Sequence, residues 1–184
     1  MEEEPLAARP ISMWKVVPWD RYRLDAPDNI LTHMDINGEF NIPASRQRVW
    51  EALNDPDVLA QCIPGCESIE RQSDTELLAK MIAKIGPVKA RFESHIRLSN
   101  LNPPESYTIS GEGKGGPAGF GKGSAEVTLA EIDDMTTLHY VATLQVGGKL
   151  AQIGSRLVGG AARKIANDFF GKFADVVANP AGTD

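Results

Sequence analysis

The chain has 184 residues, a length that suits one domain, and 42% of them are hydrophobic, enough for a sizeable core. Its formal net charge is −6, with both signs spread along the sequence and no basic block, which argues against nucleic acid as the main partner. No apolar run reaches the roughly 18 residues of a membrane span, no signal-peptide pattern is seen, and two cysteines make no disulfide framework, so a cytoplasmic location is expected.

Residues 1–33 differ from the rest. They carry Pro5, Pro10, Pro18 and Pro27 and no helical or strand period, with Trp14, Trp19 and Tyr22 as exceptions to a disordered composition. A flexible extension is expected, with Met34 as an alternative start. A peptide that binds a partner is the other reading. Residues 34–178 are expected to form one domain and 179–184 a tail.

Asp35 to Ile42 reads as a short strand that Pro43 ends. Ser45 suits the N-cap of a helix from Arg46 to Asn54, and Asp55-Pro56 the start of a second short helix. That helix stops before the turn signal Ile63-Pro64-Gly65. From Glu67 onward the period is two. A strand begins at Ile69, and a second carries Leu77, Ala79, Met81, Ala83 and Ile85, with Leu78 and Ile82 blurring its alternation. In the next, Val88, Ala90, Phe92, Ser94, Ile96 and Leu98 point one way and Lys89, Arg91, Glu93, His95 and Arg97 the other, so one face is buried and one wet. Tyr107 and Ile109 open a strand that runs into glycines. Another continues through Ala125, Val127 and Leu129 to the turn at Asp133-Asp134. The last strand carries Leu138, Tyr140, Ala142, Leu144 and Val146.

The final segment, 151–178, has a helical period: Val158, Ile165, Phe169 and Val176 share one face with Ala161, Ala162 and Phe173. A helix of about 26 residues would run roughly 40 Å at about 1.5 Å per residue. Gly154, Gly159 and Gly160 each cost about 1 kcal/mol against alanine there. Either something approaches the backbone closely or the first two turns kink. The expected class is α+β: a curved antiparallel sheet of about seven strands around a long C-terminal helix, with two short helices after the first strand.

The most biased stretch is Gly111 to Gly123. Read with period two, Gly111, Gly113, Gly121, Gly123 and Ala125 share the face of Tyr107, Ile109, Val127 and Leu129, which should face the helix. Missing side chains there leave volume for a ligand, or let the sheet bend, and one device can do both. A phosphate cradle is disfavoured, because neither Lys114 nor Lys122 is followed by Ser or Thr opening a helix.

Little else carries chemistry. His33, His95 and His139 are scattered, one in the tail and two on wet faces. Cys62 and Cys66 lack the further ligands of a zinc site and read as buried, inert thiols. No metal, cofactor or catalytic group is expected. Phe170 lies off the main apolar stripe and, with Arg163 and Lys164, is a candidate contact for a partner or membrane surface. Packing at the core edge is its alternative.

Several blocks, taken in order, resemble a known family. They are Met34-Asp35-Ile36-Asn37-Gly38-Glu39-Phe40-Asn41-Ile42-Pro43-Ala44, Val49-Trp50-Glu51-Ala52-Leu53-Asn54-Asp55-Pro56, Cys62-Ile63-Pro64-Gly65-Cys66-Glu67, Ile85-Gly86-Pro87-Val88-Lys89-Ala90, and the glycine stretch ending Gly119-Phe120-Gly121. They resemble the G subunit of carbon monoxide dehydrogenase, a family of the START-like, helix-grip (SRPBCC) superfamily. The resemblance implies a sheet gripping a helix around an apolar cavity. It also implies a non-catalytic accessory role: holding a lipid or quinone, or recruiting a molybdenum carbon monoxide dehydrogenase-type enzyme to the inner face of the membrane. Under the carrier reading the expected ligand-lining residues are Phe92, Gly111, Gly113, Phe120, Gly121, Gly123, Tyr140, Leu157 and Phe169, with glycines supplying room, aromatics walls and the helix the lid. An assembly subunit without a ligand, using Phe170, the basic helix face or the Gly115-Gly116-Pro117 loop, is the alternative. A helix-grip enzyme of the cyclase or hydratase kind comes third.

Overall fold

The computed structural model describes residues 31–179, so the readings made for residues 1–30, and the tail expected over 179–184 beyond its first residue, lie outside it. The chain runs β1 (Thr32–Ile42), α1 (Arg46–Leu53), α2 (Pro56–Cys62), β2 (Cys66–Ser73), β3 (Glu76–Ile85), β4 (Val88–Asn102), β5 (Ser106–Lys114), β6 (Phe120–Ile132), β7 (Met135–Gly147), α3 (Lys149–Gln152) and α4 (Ser155–Ala178). All seven strands join one antiparallel sheet in the order β1-β7-β6-β5-β4-β3-β2. Short turns join β2 to β7 in sequence, as local hairpins dictate. Asp133 and Asp134, both with positive φ, make the two-residue turn between β6 and β7. The first two strands lie at opposite edges, and α1 and α2 bridge them.

The short helices start where the capping chemistry places them. Ser45 Oγ accepts from the Arg48 N–H, and Asp55 Oδ1 from the Asp57 N–H at 2.9 Å. Alternation along the strands sets the faces: on β4 the charged set Lys89, Arg91, Glu93, His95 and Arg97 is exposed, while Phe92 and Leu98 are buried. The inner face curves around α4, which packs chiefly along β1 and more lightly on β3.

The buried residues fall into two clusters. One joins Ile42, Val49, Leu53, Cys62, Leu98, Tyr107, Val127, Leu129, Leu138 and Tyr140 to Phe173 and Val177 of α4. The other joins Ala83, Phe92, Ala118 and Val146 to Leu150, Ala151 and Val158. Each sits at one end of α4.

Two expectations need correcting. The C-terminal helix is not continuous from residue 151. Gly154 takes φ +93 between α3 and α4, a left-handed conformation that glycine adopts without the strain a Cβ adds, so it turns the chain instead of weakening a helix. His33 is not in a tail: β1 begins at Thr32, and His33 stands opposite Gln145 of β7.

Candidate functional site

The glycines of β5 and β6 meet across the ladder. Gly111 is opposite Gly123 and Gly113 opposite Gly121, with Ile96 and Ser94 of β4 beside them. This makes a patch of bare backbone on the inner face. Curvature accounts for part of it. A Cβ on Gly123 would stand 2.6 Å from the Thr143 carbonyl oxygen, so the strands there approach too closely for a side chain, and one on Gly113 would stand 2.7 Å from the side-chain Oγ of Ser94. Gly121 is different, because its Cβ would meet nothing nearer than Val146 Cγ1 at 3.6 Å.

The opposing stretch of α4 is also stripped. Gly159, Gly160, Ala161 and Ala162 follow Val158, the last α4 residue of the second cluster, and Ala166 is the first to pack on the other. Between the clusters runs a belt that belongs to neither. Its inward apolar residues include Ile36 of β1, Ile96 of β4, Ala125 of β6 and Ile165 of α4. Each is only half-buried although it sits in the middle of the fold. A well-packed interior would bury such residues fully.

A cleft of about 590 Å³ opens on the β3 side of α4. Its walls are Met81, Ile82 and Ala83 of β3, Pro64 and Gly65 before β2, and Leu157, Gly160, Ala161 and Ile165 of α4, with Lys84, Arg156, Lys164 and Asp168 also lining it. Leu157 is 51% exposed and Ile82 37%, so the cleft presents apolar surface to solvent. A larger groove, about 790 Å³, crosses the sheet, and no residue of α4 lines it. On each strand it is flanked by outward polar residues, such as His95 and Arg97 around Ile96 or Lys122 and Ser124 around Gly123. It therefore lies on the face turned away from the helix. Its size exceeds that of the cleft, but its mixed charge does not suit an apolar molecule.

The residues singled out from the sequence separate into groups. Gly111, Gly113, Gly121 and Gly123 lie together on the inner face, and Tyr140 is turned inward from β7. Leu157 lines the cleft instead. Phe92 is buried in the second cluster, its ring against the backbone of Gly115, where a Cβ would stand 2.4 Å away. Phe169 packs on the first cluster, stacked on Phe173 at 5.6 Å. Phe120 does not join the others. Alternation turns it away from Gly121 to the outer face, where its ring covers Gly147. Phe170 stacks on Phe40 at 4.3 Å and so packs at the edge of the core. Lys164 pairs with Asp168 at 2.6 Å, and Arg163 is exposed, its guanidinium folded back toward Gly159. Sequence reasoning missed Ile36, Ile96 and Ile82 as site residues. Ile82 does carry a signal, an apolar residue on the wet side of an alternating strand.

Burial pushes the thiols of Cys62 and Cys66 above their ordinary range, and both are free. Burial likewise raises the phenol of Tyr107. Among the described residues no group of three or more His, Cys, Asp or Glu is placed to hold a metal ion, and no helix is long and apolar enough to cross a membrane.

The family model for the G subunit of carbon monoxide dehydrogenase (CoxG) matches residues 38–178. The chain belongs to the CoxG family. A conserved protein from Geobacillus kaustophilus is 34% identical, with a TM-score of 0.75 over 79% of this chain and 96% of that one. Two more distant structures share the fold. The Zhui aromatase/cyclase from Streptomyces sp. R1128 matches at 13% identity and TM-score 0.59, covering 83% of this chain and 100% of its own. Ara h 8.0201 matches at 13% identity and TM-score 0.57, covering 80% and 99%. No curated protein matches the chain. CoxG membership supports an accessory role, and the two more distant structures show that the chain shares their helix-grip fold.

Proposed function

We propose that this CoxG-family protein is a non-catalytic carrier. It holds a hydrophobic small molecule, a lipid or quinone, in the belt between sheet and helix, and serves a molybdenum carbon monoxide dehydrogenase-type enzyme from a cytoplasmic position at the membrane's inner face. The observation that carries this reading is the division of the core. Two buried clusters are separated by half-buried apolar residues, at the level where both walls have lost their side chains. Gly121 supports it most, since its lack of a side chain answers to no close neighbour. The cleft beside Leu157 is the natural mouth. Its volume lies within the ~300–1,000 Å³ range of ordinary small-molecule sites.

The test is native mass spectrometry of full-length protein purified without detergent, with the organic extract analysed in parallel. The reading predicts an added mass of a few hundred daltons that extraction removes, and a lipid or quinone in the extract. Protein of bare polypeptide mass that takes up neither class when offered would defeat it. A second reading, recruitment of a partner without a ligand, is favoured by the exposure of Leu157 and Ile82 beside Lys84 and Arg156. Under it, Leu157→Glu abolishes capture of the dehydrogenase by tagged protein. The carrier reading keeps that capture.

A further inference from the structure

Two surfaces of the chain carry exposed apolar side chains beside charged groups that pair with no described residue, and the two are opposite in shape and in sign. The first is concave. In the cleft between β3 and α4, Leu157 is 51% exposed and Ile82 37%. Lys164 there is held by Asp168, but Lys84 and Arg156, both exposed, have no hydrogen-bond or ion-pair partner among the described residues. The second surface is convex. It is the tip of the β6–β7 hairpin, where Ile132 is 73% exposed, more than any other large apolar residue described, and Met135 46%. These two stand opposite each other in the ladder and so share one face of it. Asp133 and Asp134 make the turn beyond them, and neither carboxylate pairs with a described residue. Turn chemistry accounts for the aspartates, which tolerate positive φ, but not for the isoleucine and the methionine on either side of them.

The cleft and the tip lie at opposite ends of the fold. Ala83, on the cleft wall, belongs to the cluster of Leu150 and Val158, whereas Leu129 and Leu138, the buried pair next to the tip, belong to the cluster of Phe173. The tip therefore cannot fill the cleft of its own chain. We propose that the two surfaces meet between copies. The hairpin tip of one chain seats Ile132 and Met135 against Leu157 and Ile82 of a second, with Asp133 and Asp134 beside its Lys84 and Arg156. Opposite charges align the copies, and the apolar side chains supply the burial. The contact joins two different patches, so it is heterologous: each pair of copies keeps one free tip and one free cleft, and association runs past the dimer unless it closes into a ring. A hairpin tip offers a small interface, at the weak end of the size range, so the contact forms and dissolves with protein concentration. This goes beyond the carrier reading. Where the cleft is the mouth of the carrier, a seated tip also closes it.

The test is sedimentation of full-length protein, without added ligand, at about 0.1 M salt, where charges act over about 10 Å. Two variants are compared, each altered on one surface only. Ile132→Ser with Asp133→Asn and Asp134→Asn blunts the tip, and asparagine keeps the positive φ that the turn needs. Lys84→Glu with Arg156→Glu reverses the charge of the cleft. Every altered position is exposed, so both variants are expected to fold, and equal urea midpoints check this. The expected result is a wild-type mass that rises with concentration, while each variant alone stays monomeric. An equal mixture of the two variants should form a dimer and nothing larger, since one offers only a cleft and the other only a tip. Wild type that stays monomeric up to its solubility limit overturns the proposal. Variants that associate as wild type does also overturn it, because the contact then lies elsewhere, and so does a mixture that stays monomeric. The carrier reading survives each of these failures, because no cargo is present in the experiment.

Discussion

Gly121 and Gly123 sit two residues apart on one strand and face the same way, yet a substitution meets different physics at each. At Gly123 the obstacle is the backbone carbonyl of Thr143, which cannot swing aside. Gly123→Ala is expected to cost about 1–3 kcal/mol, the range for forced overpacking, read as a lower urea midpoint. At Gly121 a methyl group meets only ordinary contact, so Gly121→Ala should leave the stability within about 0.5 kcal/mol of wild type. The cysteines give a pH prediction. Cys62 and Cys66 have thiols raised by burial in the folded state, so the unfolded chain releases its protons first as pH rises. Their contribution to stability is therefore intact below the free-thiol value near 9.0 and is lost as pH climbs past it. Alkylation at about pH 8, just below the ordinary thiol range, should leave Cys62 unmodified until denaturant is added. Rapid labelling of native protein would contradict its burial.

The long helix shows how elements depend on one another. Arg48 of α1 donates from Nε to the Val177 carbonyl oxygen at 2.7 Å, so a cation caps the C-terminal end of α4. Arg48→Met should cost about 1–2 kcal/mol and speed amide exchange in the last turn of α4 while leaving its middle protected. Phe173, with no exposed surface, anchors the same end, and Phe173→Ala should cost about 3–5 kcal/mol. Much at this scale is legible in the sequence. Ser45 and Asp55 announce their helices through side-chain chemistry that acts within three residues. β4 announces its faces through strict alternation. Gly154 misleads because periodicity continues on both sides of it, and sequence spacing carries no φ angle. Phe120 is drawn to the wrong face by its company among glycines, although the period-two count that puts Gly121 inward turns Phe120 outward. The belt is the least legible feature. The pairing of Gly111 with Gly123, and the stack of Phe170 on Phe40, depend on residues far apart in the chain.

For the whole molecule, the sheet and helix form two sealed ends and a middle that is not sealed. The end with Phe173 is closed by α1 and α2. The other is closed by α3, by Phe92 and by the turn at Gly86, which lies close to Ile153 and Leu157. Stability is then expected from the ends and ligand capacity from the middle, so the two should separate on mutation. Gly121→Leu is the sharpest instrument, since its side chain extends past Val146 toward the belt from a position that tolerates a Cβ. The most direct measurement is the stoichiometry of N-phenyl-1-naphthylamine binding to wild type and to Gly121→Leu, both checked for equal urea midpoints. The account predicts one probe molecule per chain for wild type and none for the variant. Equal uptake by both proteins would contradict it, because the probe would then lie somewhere other than between sheet and helix.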